Sequence, residues 1–377
     1  GILVVRGPRQ VGKSTFLFEF AQKALKNGII PENLVLYHGE RFKDRFSYET
    51  EVESFIKESN GYSVILTDEL TVIENWWLAV KSLADRGLFV NVLFICTGSS
   101  SEDLSEGMDL MPGRRGRRSP VDFTLLPVRY KDVATVLSLE EFFLTGGWPW
   151  SINEYLKIGI IPEHVYQVYA AWIQGAFYKK RYAHQNLPFI LRGITSHLGT
   201  PVSIQKFSRD TGLSTNLVGE QYIDILQKIF ALKPAYWAEP NQCIPFPRKN
   251  RKFYPTDPFL YHLFADFGLG FENSFQTAKA RLADPMIMGS MAENLVASDL
   301  LHCAHGHGLQ YWLGKKEIDF ISPEFIEVKY QKHVSLYEFE WLNKIVPPNR
   351  EIEILTQTDK AYNGRIRLTP LKEWLCR

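Results

Sequence analysis

A glycine-rich loop close to the start of the sequence restricts the folds open to the first part of the chain. It follows an apolar run at residues 2–5, which predicts a buried strand, and it precedes residues 16–21, which predict a helix. A strand, a glycine-rich loop and a helix in this order are the usual context of a phosphate-binding loop. The loop consists of Gly7, Pro8, Arg9, Gln10, Val11, Gly12, Lys13, Ser14 and Thr15.

This loop predicts a site for a nucleoside triphosphate, ATP, together with Mg²⁺. Its glycines allow main-chain N–H groups to surround the β-phosphate, and the helix N-terminus adds the positive end of its dipole. Lys13 is expected to reach the β- and γ-phosphates, and the hydroxyl of Ser14 is expected to hold Mg²⁺. A glycine-containing surface turn is the alternative, which the flanking strand and helix make the weaker interpretation.

Apolar runs that alternate with helical stretches over residues 1–127 predict an α/β fold with a parallel sheet. One apolar run ends in Asp68 and Glu69, and the next ends in Thr97. Ligands collect at the carboxyl ends of parallel strands, so Asp68 is expected to bind Mg²⁺ and Glu69 to polarise the attacking water. Thr97, or else Ser99, is expected to orient that water or to detect the γ-phosphate. Solvated carboxylates and a common turn are the plainer interpretations of these residues.

Four arginines lie within six residues just before the last predicted strand of this part, namely Arg114, Arg115, Arg117 and Arg118. A charge run of this kind is usually a solvated loop. One arginine would otherwise reach the γ-phosphate on a neighbouring subunit, or the group would contact the phosphates of a nucleic acid. Composition alone leaves the three interpretations open.

The sequence resembles a prokaryotic AAA+ ATPase family whose C-terminal half was long catalogued as a domain of unknown function. The resemblance covers nearly the whole chain. It rests on the glycine-rich loop, on Asp68 and Glu69, on Thr97, Gly98 and Ser99, on Gly113 and Arg114 ahead of Leu125, Leu126 and Pro127, and on Gly146, Gly147, Trp148 and Pro149.

The resemblance implies a P-loop AAA+ parallel sheet, a helical lid, a winged helix-turn-helix and a C-terminal restriction-endonuclease-like α/β domain. The boundaries expected are 1–127 for the ATPase core, 128–198 for the lid, 199–257 for the winged helix, 258–285 for a linker and 286–377 for the nuclease-like domain. It also implies that Arg114 or Arg117 acts across a subunit interface in a homo-oligomer, a hexamer. Residues 147–149 resemble a lid motif in which a proline turn approaches the nucleotide.

Residues 202–230 predict two short helices around a turn at Gly212, and a two-stranded wing follows. Such a domain often places its second helix in the DNA major groove. That helix carries Glu220 and Asp224 against only Lys228, which disfavours phosphate contact. The predicted wing offsets this charge with Arg248, Lys249, Arg251 and Lys252. Direct DNA binding and protein docking are therefore both open.

The C-terminal region carries an acid on a predicted helix, Glu293, and Asp319, Glu327 and Lys329 on predicted neighbouring strands. This order resembles the pattern of restriction-endonuclease-like nucleases, whose carboxylates hold Mg²⁺ or Mn²⁺ beside a lysine. A salt-bridged surface strand is the alternative. His302, Cys303, His305 and His307 match no zinc-finger spacing and are expected to belong to a turn.

Together these patterns predict an ATPase that remodels DNA or translocates on it, with branched or duplex DNA as its partner. The alternatives are a nucleotide-gated regulator that binds proteins and an ATP-gated nuclease. The net charge of +1 neither requires nor excludes nucleic acid. No apolar run approaches the length of a membrane span, and the four cysteines form no C-x-x-C pair, which predicts a cytoplasmic protein. The chain starts within a strand and without Met, so residues are expected to precede Gly1.

Overall fold

The computed structural model describes residues 1–98, 101–116, 120–179, 182, 184–303, 308–322 and 324–377. The chain divides into two compact units, Gly1–Leu126 and Pro127–Arg377. In the described part of the chain, none of the helices combines the length and the apolar character that a membrane crossing requires.

The first unit is an α/β domain on a five-stranded sheet in which all neighbouring strands are parallel, with the order β2-β3-β4-β1-β5. Its strands are β1 (Ile2–Arg6), β2 (Leu34–His38), β3 (Ser63–Asp68), β4 (Val92–Thr97) and β5 (Asp122–Thr124). Its helices are α1 (Lys13–Lys26), α2 (Arg45–Glu58), α3 (Trp76–Asp85) and α4 (Ser101–Asp109). The predicted α/β fold with a parallel sheet is confirmed.

The central strands of this sheet are buried on both faces, which explains their nearly continuous apolar sequences. Successive side chains of a strand point to opposite faces. Val4 accordingly belongs to one apolar cluster together with Phe94. Val5, the next residue, belongs to a second cluster together with Leu17 of α1. This packing on both sides fixes β1 and the loop that follows it.

The second unit is mixed, with helices before, between and after the strands of a second sheet. Its helices are α5 (Tyr130–Val133), α6 (Leu139–Thr145), α7 (Pro149–Ile158), α8 (Glu163–Lys179), α9 (Leu187–Ser196), α10 (Ile204–Asp210), α11 (Asn216–Lys228), α12 (Pro258–Asp266), α13 (Ser274–Leu282), α14 (Pro285–Cys303) and α15 (Leu371–Leu375). Its strands are β6 (Leu232–Trp237), β7 (Arg251–Pro255), β8 (Leu309–Leu313), β9 (Glu317–Ser322), β10 (Phe325–Val328), β11 (Ile352–Thr356), β12 (Ala361–Asn363) and β13 (Ile366–Pro370).

The predicted wing does not stand apart from the C-terminal strands. Its two strands, β6 and β7, form an antiparallel hairpin, and β6 also pairs in parallel with β8. One eight-stranded sheet results, with the order β12-β13-β11-β10-β9-β8-β6-β7. An isolated two-stranded hairpin is marginally stable in water, so this pairing supplies support that a free wing lacks. The division of residues 128–377 into lid, winged helix and nuclease-like domain stays a prediction.

The predicted linker at residues 258–285 is wrong, because two helices, α12 and α13, occupy most of it. Helix α12 packs against α6 and α9 and is buried along nearly its whole length. Its sequence is apolar on all sides, which is typical of a central helix. Asp257 caps its start by accepting a hydrogen bond from the main-chain N–H of Phe259 at 2.8 Å.

His262 of α12 makes the stability of the second unit depend on pH. The side chain is fully buried, and its Nε2 lies 3.0 Å from the carbonyl oxygen of Phe143. Burial lowers the pKa of His262 to about 4, whereas an exposed histidine in the unfolded chain titrates near 6.5. The stabilising neutral form is therefore fully present above pH ~6.5, and its contribution is lost as the pH falls towards ~4. The expected loss from this group is about 3 kcal/mol across that window.

Urea unfolding at several pH values, compared between the unchanged chain and His262→Gln, checks this contribution. Glutamine keeps a hydrogen-bond donor for Phe143 but does not titrate. The difference in unfolding free energy between the two proteins should shrink as the pH falls. An identical pH dependence in both would contradict the assignment.

Candidate functional site

The glycine-rich loop joins β1, which lies between β4 and β5 in the first sheet, to α1. Helix α1 begins at Lys13, directly after Gly12 in a left-handed conformation. Gly7 has a φ of 155°, and a Cβ atom there would lie 2.2 Å from the carbonyl oxygen of Leu125. Because that neighbour is main chain and cannot turn aside, the position admits only glycine. The loop is thus fixed at its first residue by close contact with the segment after β5.

Lys13 is held inside this loop. Its side chain is almost wholly buried, and Nζ donates hydrogen bonds to the carbonyl oxygens of Gly7 at 3.0 Å and Pro8 at 2.8 Å. Burial lowers the pKa of Lys13, while the nearby carboxylates of Glu69 and Asp68 oppose that shift. The ammonium is therefore positioned, by contacts within the loop, at the place where the sequence predicts phosphate binding.

Asp68 is the centre of the site, because α1 and β4 each bring a hydroxyl group to its carboxylate. The hydroxyl of Ser14, in the first turn of α1, donates to Oδ2 at 2.5 Å. The hydroxyl of Thr97, at the end of β4, donates to Oδ1. Strands β3 and β4 are parallel neighbours, so their last residues meet at one edge of the sheet. The structure thus brings together Ser14, Asp68 and Thr97, and their roles stay a prediction.

Glu69 follows β3 directly and has a φ of 53°, a left-handed conformation that is uncommon for a glutamate. Its main-chain N–H donates to Oγ1 of Thr97 at 3.2 Å, so Thr97 contacts both acids. Glu69 is the residue predicted to polarise water. Its unusual backbone agrees with the tendency of such conformations to occur at functional sites.

The sequence prediction missed His38, the last residue of β2. Its Nδ1 lies 3.9 Å from Oδ2 of Asp68, and about half of the side chain is exposed. The signal was present, because β2 ends at the same sheet edge as β3, but a single histidine at a strand end does not by itself indicate a role.

The donor set fits Mg²⁺. Hydroxyl and carboxylate oxygens are the protein ligands that this ion uses beside substrate phosphates. Ser14 and Asp68 supply both kinds, on an α-helix and a strand that are fixed by the apolar clusters on the two sheet faces.

The arginine run is partly engaged within its own chain. Arg114 makes a two-pronged ion pair with Asp85 of α3, in which Nη2 lies 3.3 Å from Oδ2. Arg115 binds both carboxylate oxygens of Asp122 at 2.8 and 2.9 Å. Arg117 and Arg118 lie outside the described residues, as does Ser99. The structure therefore leaves an arginine acting in trans as a prediction.

The C-terminal acids lie together in the second unit, with a cation that the sequence did not place there. Lys252 of β7 is fully buried, and its Nζ lies 2.8 Å from Oε1 of Glu293 and 2.8 Å from Oδ1 of Asp319. It also contacts the carboxylate of Glu317. Burial alone would lower the pKa of Lys252, but Asp319 and Glu293 raise it well above its ordinary value. This lysine is firmly charged.

Glu327 and Lys329 complete the predicted pattern only in part. Burial, followed by the charge of Asp319, raises the pKa of Glu327 well above its usual range. In the described part of the chain, Oε2 of Glu327 is buried without a hydrogen-bond partner, which suits the neutral, protonated form. Lys329 follows β10, where its main-chain N–H donates to Leu355 at 2.8 Å. The sequence prediction missed Glu317 and Lys252 in this cluster.

Arg251 and Lys252, two of the four basic residues of the predicted wing, form ion pairs within the protein. The prediction that they offset the acids of the second helix as free surface charge is therefore wrong. Lys252 is the buried cation of the acid cluster, and Arg251 binds both carboxylate oxygens of Glu220 on α11 at 2.7 and 2.8 Å. Arg248 and Lys249 are exposed in the loop between β6 and β7, where Nζ of Lys249 lies 3.0 Å from the ring centre of Trp237.

The double glycine before Trp148 packs inside the second unit. The main-chain N–H of Gly147 donates to Oδ2 of Asp257 at 2.7 Å, and Trp148 is fully buried.

The histidines and the cysteine of residues 302–307 are predicted to belong to a turn, and of these His305 and His307 lie outside the described residues. Among the residues that the structure describes, no three His, Cys, Asp or Glu side chains are arranged to hold a metal ion.

Comparison with known proteins finds a family match over the first part of the chain. Residues 1–134 match the family described as AAA domain. An uncharacterized protein of Methanocaldococcus jannaschii is 24% identical over 403 residues, covering 96% of this chain and 83% of the relative. An uncharacterized protein of Haemophilus influenzae is 23% identical over 355 residues, which cover 87% of this chain and 81% of the relative. The Walker-type ATPase of Pyrococcus abyssi aligns with a TM-score of 0.45 and 16% identity, covering 70% of this chain and 90% of that one. The match over residues 1–134, with the phosphate-binding loop inside it, supports an AAA-type ATPase.

Proposed function

We propose that this chain hydrolyses ATP with Mg²⁺ and uses the resulting conformational change to act on DNA. The observation that carries the ATPase part is the meeting of Ser14, Asp68 and Thr97 at one sheet edge, next to the loop that holds Lys13. No single part of this arrangement is rare, but phosphoryl transfer requires all of them at once.

Each residue has a distinct task in this proposal. Lys13 exchanges the carbonyl oxygens of Gly7 and Pro8 for oxygens of the β- and γ-phosphates. Ser14 and Asp68 would hold Mg²⁺, which neutralises charge on the phosphate oxygens when bound. Glu69 takes a proton from the attacking water, and Thr97 keeps Glu69 in place through its main-chain N–H. These two residues turn bound water into a nucleophile aligned with the γ-phosphate.

The proposal also includes a closed homo-oligomer, a hexamer, in which an arginine of residues 114–118 acts on the neighbouring subunit's nucleotide. The family resemblance supports this part. Arg114 would have to leave Asp85 to do so, and because this pair is exposed to solvent, its loss costs little. Arg117 is the other arginine proposed.

Action on DNA rests on a smaller set of charges than the sequence suggested. Arg248 and Lys249 remain exposed in the loop between β6 and β7, beside the exposed apolar side chains of Ile244 and Phe246. Because only a few phosphates would be contacted there, the salt dependence contributed by this loop should be shallow.

ATP turnover measured with and without forked, duplex and single-stranded DNA tests the proposal. We expect DNA to raise the turnover at low salt, and the effect to fade as salt rises. Replacing Arg248 and Lys249 with alanine should weaken the response to all DNA forms and reduce the logarithmic salt slope by about 2. Lys315 and Lys316, in the turn between β8 and β9, offer a matched double replacement that should leave the response intact.

A nucleotide-gated regulator that binds proteins is the second candidate. Helix α11 favours it, because its acids are matched within the protein, Glu220 by Arg251 and Asp224 by Lys228, while Leu217 is 67% exposed. An ATPase that ignores every DNA form in dilute buffer would support this candidate and reject action on DNA.

A further inference from the structure

The acid cluster of the second unit contains its own cation. Glu293 on α14 and both Glu317 and Asp319 on β9 contact the ammonium of Lys252, which arrives from β7. Tyr254, two residues further along β7 and on the same face of the strand, donates its hydroxyl to Oε1 of Glu293 at 2.5 Å. Two side chains of one strand therefore converge on this carboxylate.

These contacts cross the sheet. Strands β7 and β9 are separated by β6 and β8, so in a flat sheet they would lie about 14 Å apart. Nζ of Lys252 nevertheless lies 2.8 Å from Oδ1 of Asp319. The sheet must curl to allow this, and the ion pairs join strands that share no main-chain hydrogen bonds. Lys252 thus connects the β6–β7 hairpin to strand β9.

The resemblance to nucleases implies a divalent ion between these carboxylates, and the arrangement does not fit one. The ammonium of Lys252 lies between Glu293 and Asp319, within hydrogen-bond distance of both. The other oxygen of Asp319 accepts the main-chain N–H of Val328 at 2.9 Å. The described side chains contain no metal-holding group of three acids, histidines or cysteines.

We propose that Lys252 takes the place of a divalent ion in this cluster, so that the cluster does not support metal-dependent cleavage of DNA. The cluster then acts as a set of buried ion pairs that link β7 to β9 and α14. Its positive charge is supplied by a lysine of the same chain. Removing the lysine converts the same carboxylates into a site that a divalent ion can enter.

Binding of Mn²⁺ to the full-length chain without nucleotide, followed by the electron paramagnetic resonance of the free ion, tests this inference. Only Mn²⁺ whose binding disappears in Asp319→Asn is assigned to the cluster. In the unchanged chain, Asp319→Asn is expected to remove no Mn²⁺ binding, whereas Lys252→Met is expected to gain binding that the added Asp319→Asn change abolishes. The melting temperature of Lys252→Met should rise with Mn²⁺ by more than that of the unchanged chain.

Lys233→Met is the matched control. Lys233 lies on the neighbouring strand β6, and burial is what lowers its pKa, with no contribution from an acid of the described residues. Its replacement should create no Mn²⁺ site. A folded Lys252→Met chain that binds no Mn²⁺ would overturn the proposal.

If Lys252→Met fails to fold, comparison of the unchanged chain with Asp319→Asn still tests the inference. Mn²⁺ binding, or Mn²⁺-dependent DNA cleavage, that Asp319→Asn abolishes would overturn the inference, and the absence of both would support it. These measurements need no ATP, so their outcome is independent of the proposed ATPase.

Discussion

Replacing Glu69 with glutamine is expected to lower ATP turnover by about 10²- to 10⁴-fold, the usual contribution of a general base. Glutamine has nearly the same shape but cannot accept the proton of the attacking water. ATP binding should stay close to that of the unchanged chain, because Lys13 and the loop carbonyls that hold it are untouched. Loss of turnover with retained binding separates a chemical role for Glu69 from a structural one.

Single-turnover hydrolysis and equilibrium binding of a fluorescent ATP analogue measure the two quantities. Glu74→Gln is the matched control, since this exposed glutamate lies five residues further along the same segment. It should hydrolyse ATP at the unchanged rate. Asp68→Asn gives the opposite pattern, because loss of the carboxylate that contacts Ser14 should weaken Mg²⁺-dependent binding itself. Full turnover in Glu69→Gln would remove this residue from the chemistry and weaken the proposed function.

The sequence predicts the first unit well because its signals are local. A buried parallel strand is a short apolar run, and the polar residues that follow each run meet at one edge of the sheet. Asp68 and Thr97 are 29 residues apart, yet their contact follows from that rule alone. The pair between Arg114 and Asp85 does not follow, because it depends on where an irregular loop meets the end of α3.

The second unit is less predictable for a related reason. Charge in a sequence does not reveal which side of a strand becomes buried, so Lys252 is read as surface charge although it is fully enclosed. Its carboxylate partners lie 41 and 67 residues away, on a helix and a strand whose approach depends on the curl of the sheet. Prolines and glycines around α12 and α13 suggest a linker, while the apolar residues between them form central helices.

Gly147→Ala is expected to destabilise the second unit strongly, although alanine is the smallest possible change. A Cβ atom at Gly147 would lie 2.0 Å from the carbonyl oxygen of Val128, a main-chain atom whose residue also donates its N–H to the carbonyl oxygen of Gly147 at 2.9 Å. Overpacking of this kind costs roughly 1–3 kcal/mol. Displacing the Gly147 N–H from the buried carboxylate of Asp257 adds about 1–3 kcal/mol more. Gly146 is equally confined, because a Cβ there would lie 1.8 Å from Oδ1 of Asp257.

Urea unfolding followed by tryptophan fluorescence measures this effect, since Trp148 is adjacent and fully buried. Gly175→Ala is the matched control: Gly175 lies inside α8, no atom lies within 4 Å of its added Cβ, and the change should stabilise the helix by about 0.5–1 kcal/mol. Opposite signs at the two glycines would show that the double glycine is a packing requirement of the second unit. An unchanged unfolding midpoint in Gly147→Ala would mean that the contacts with Val128 and Asp257 yield easily, and the double glycine would then not be a packing requirement.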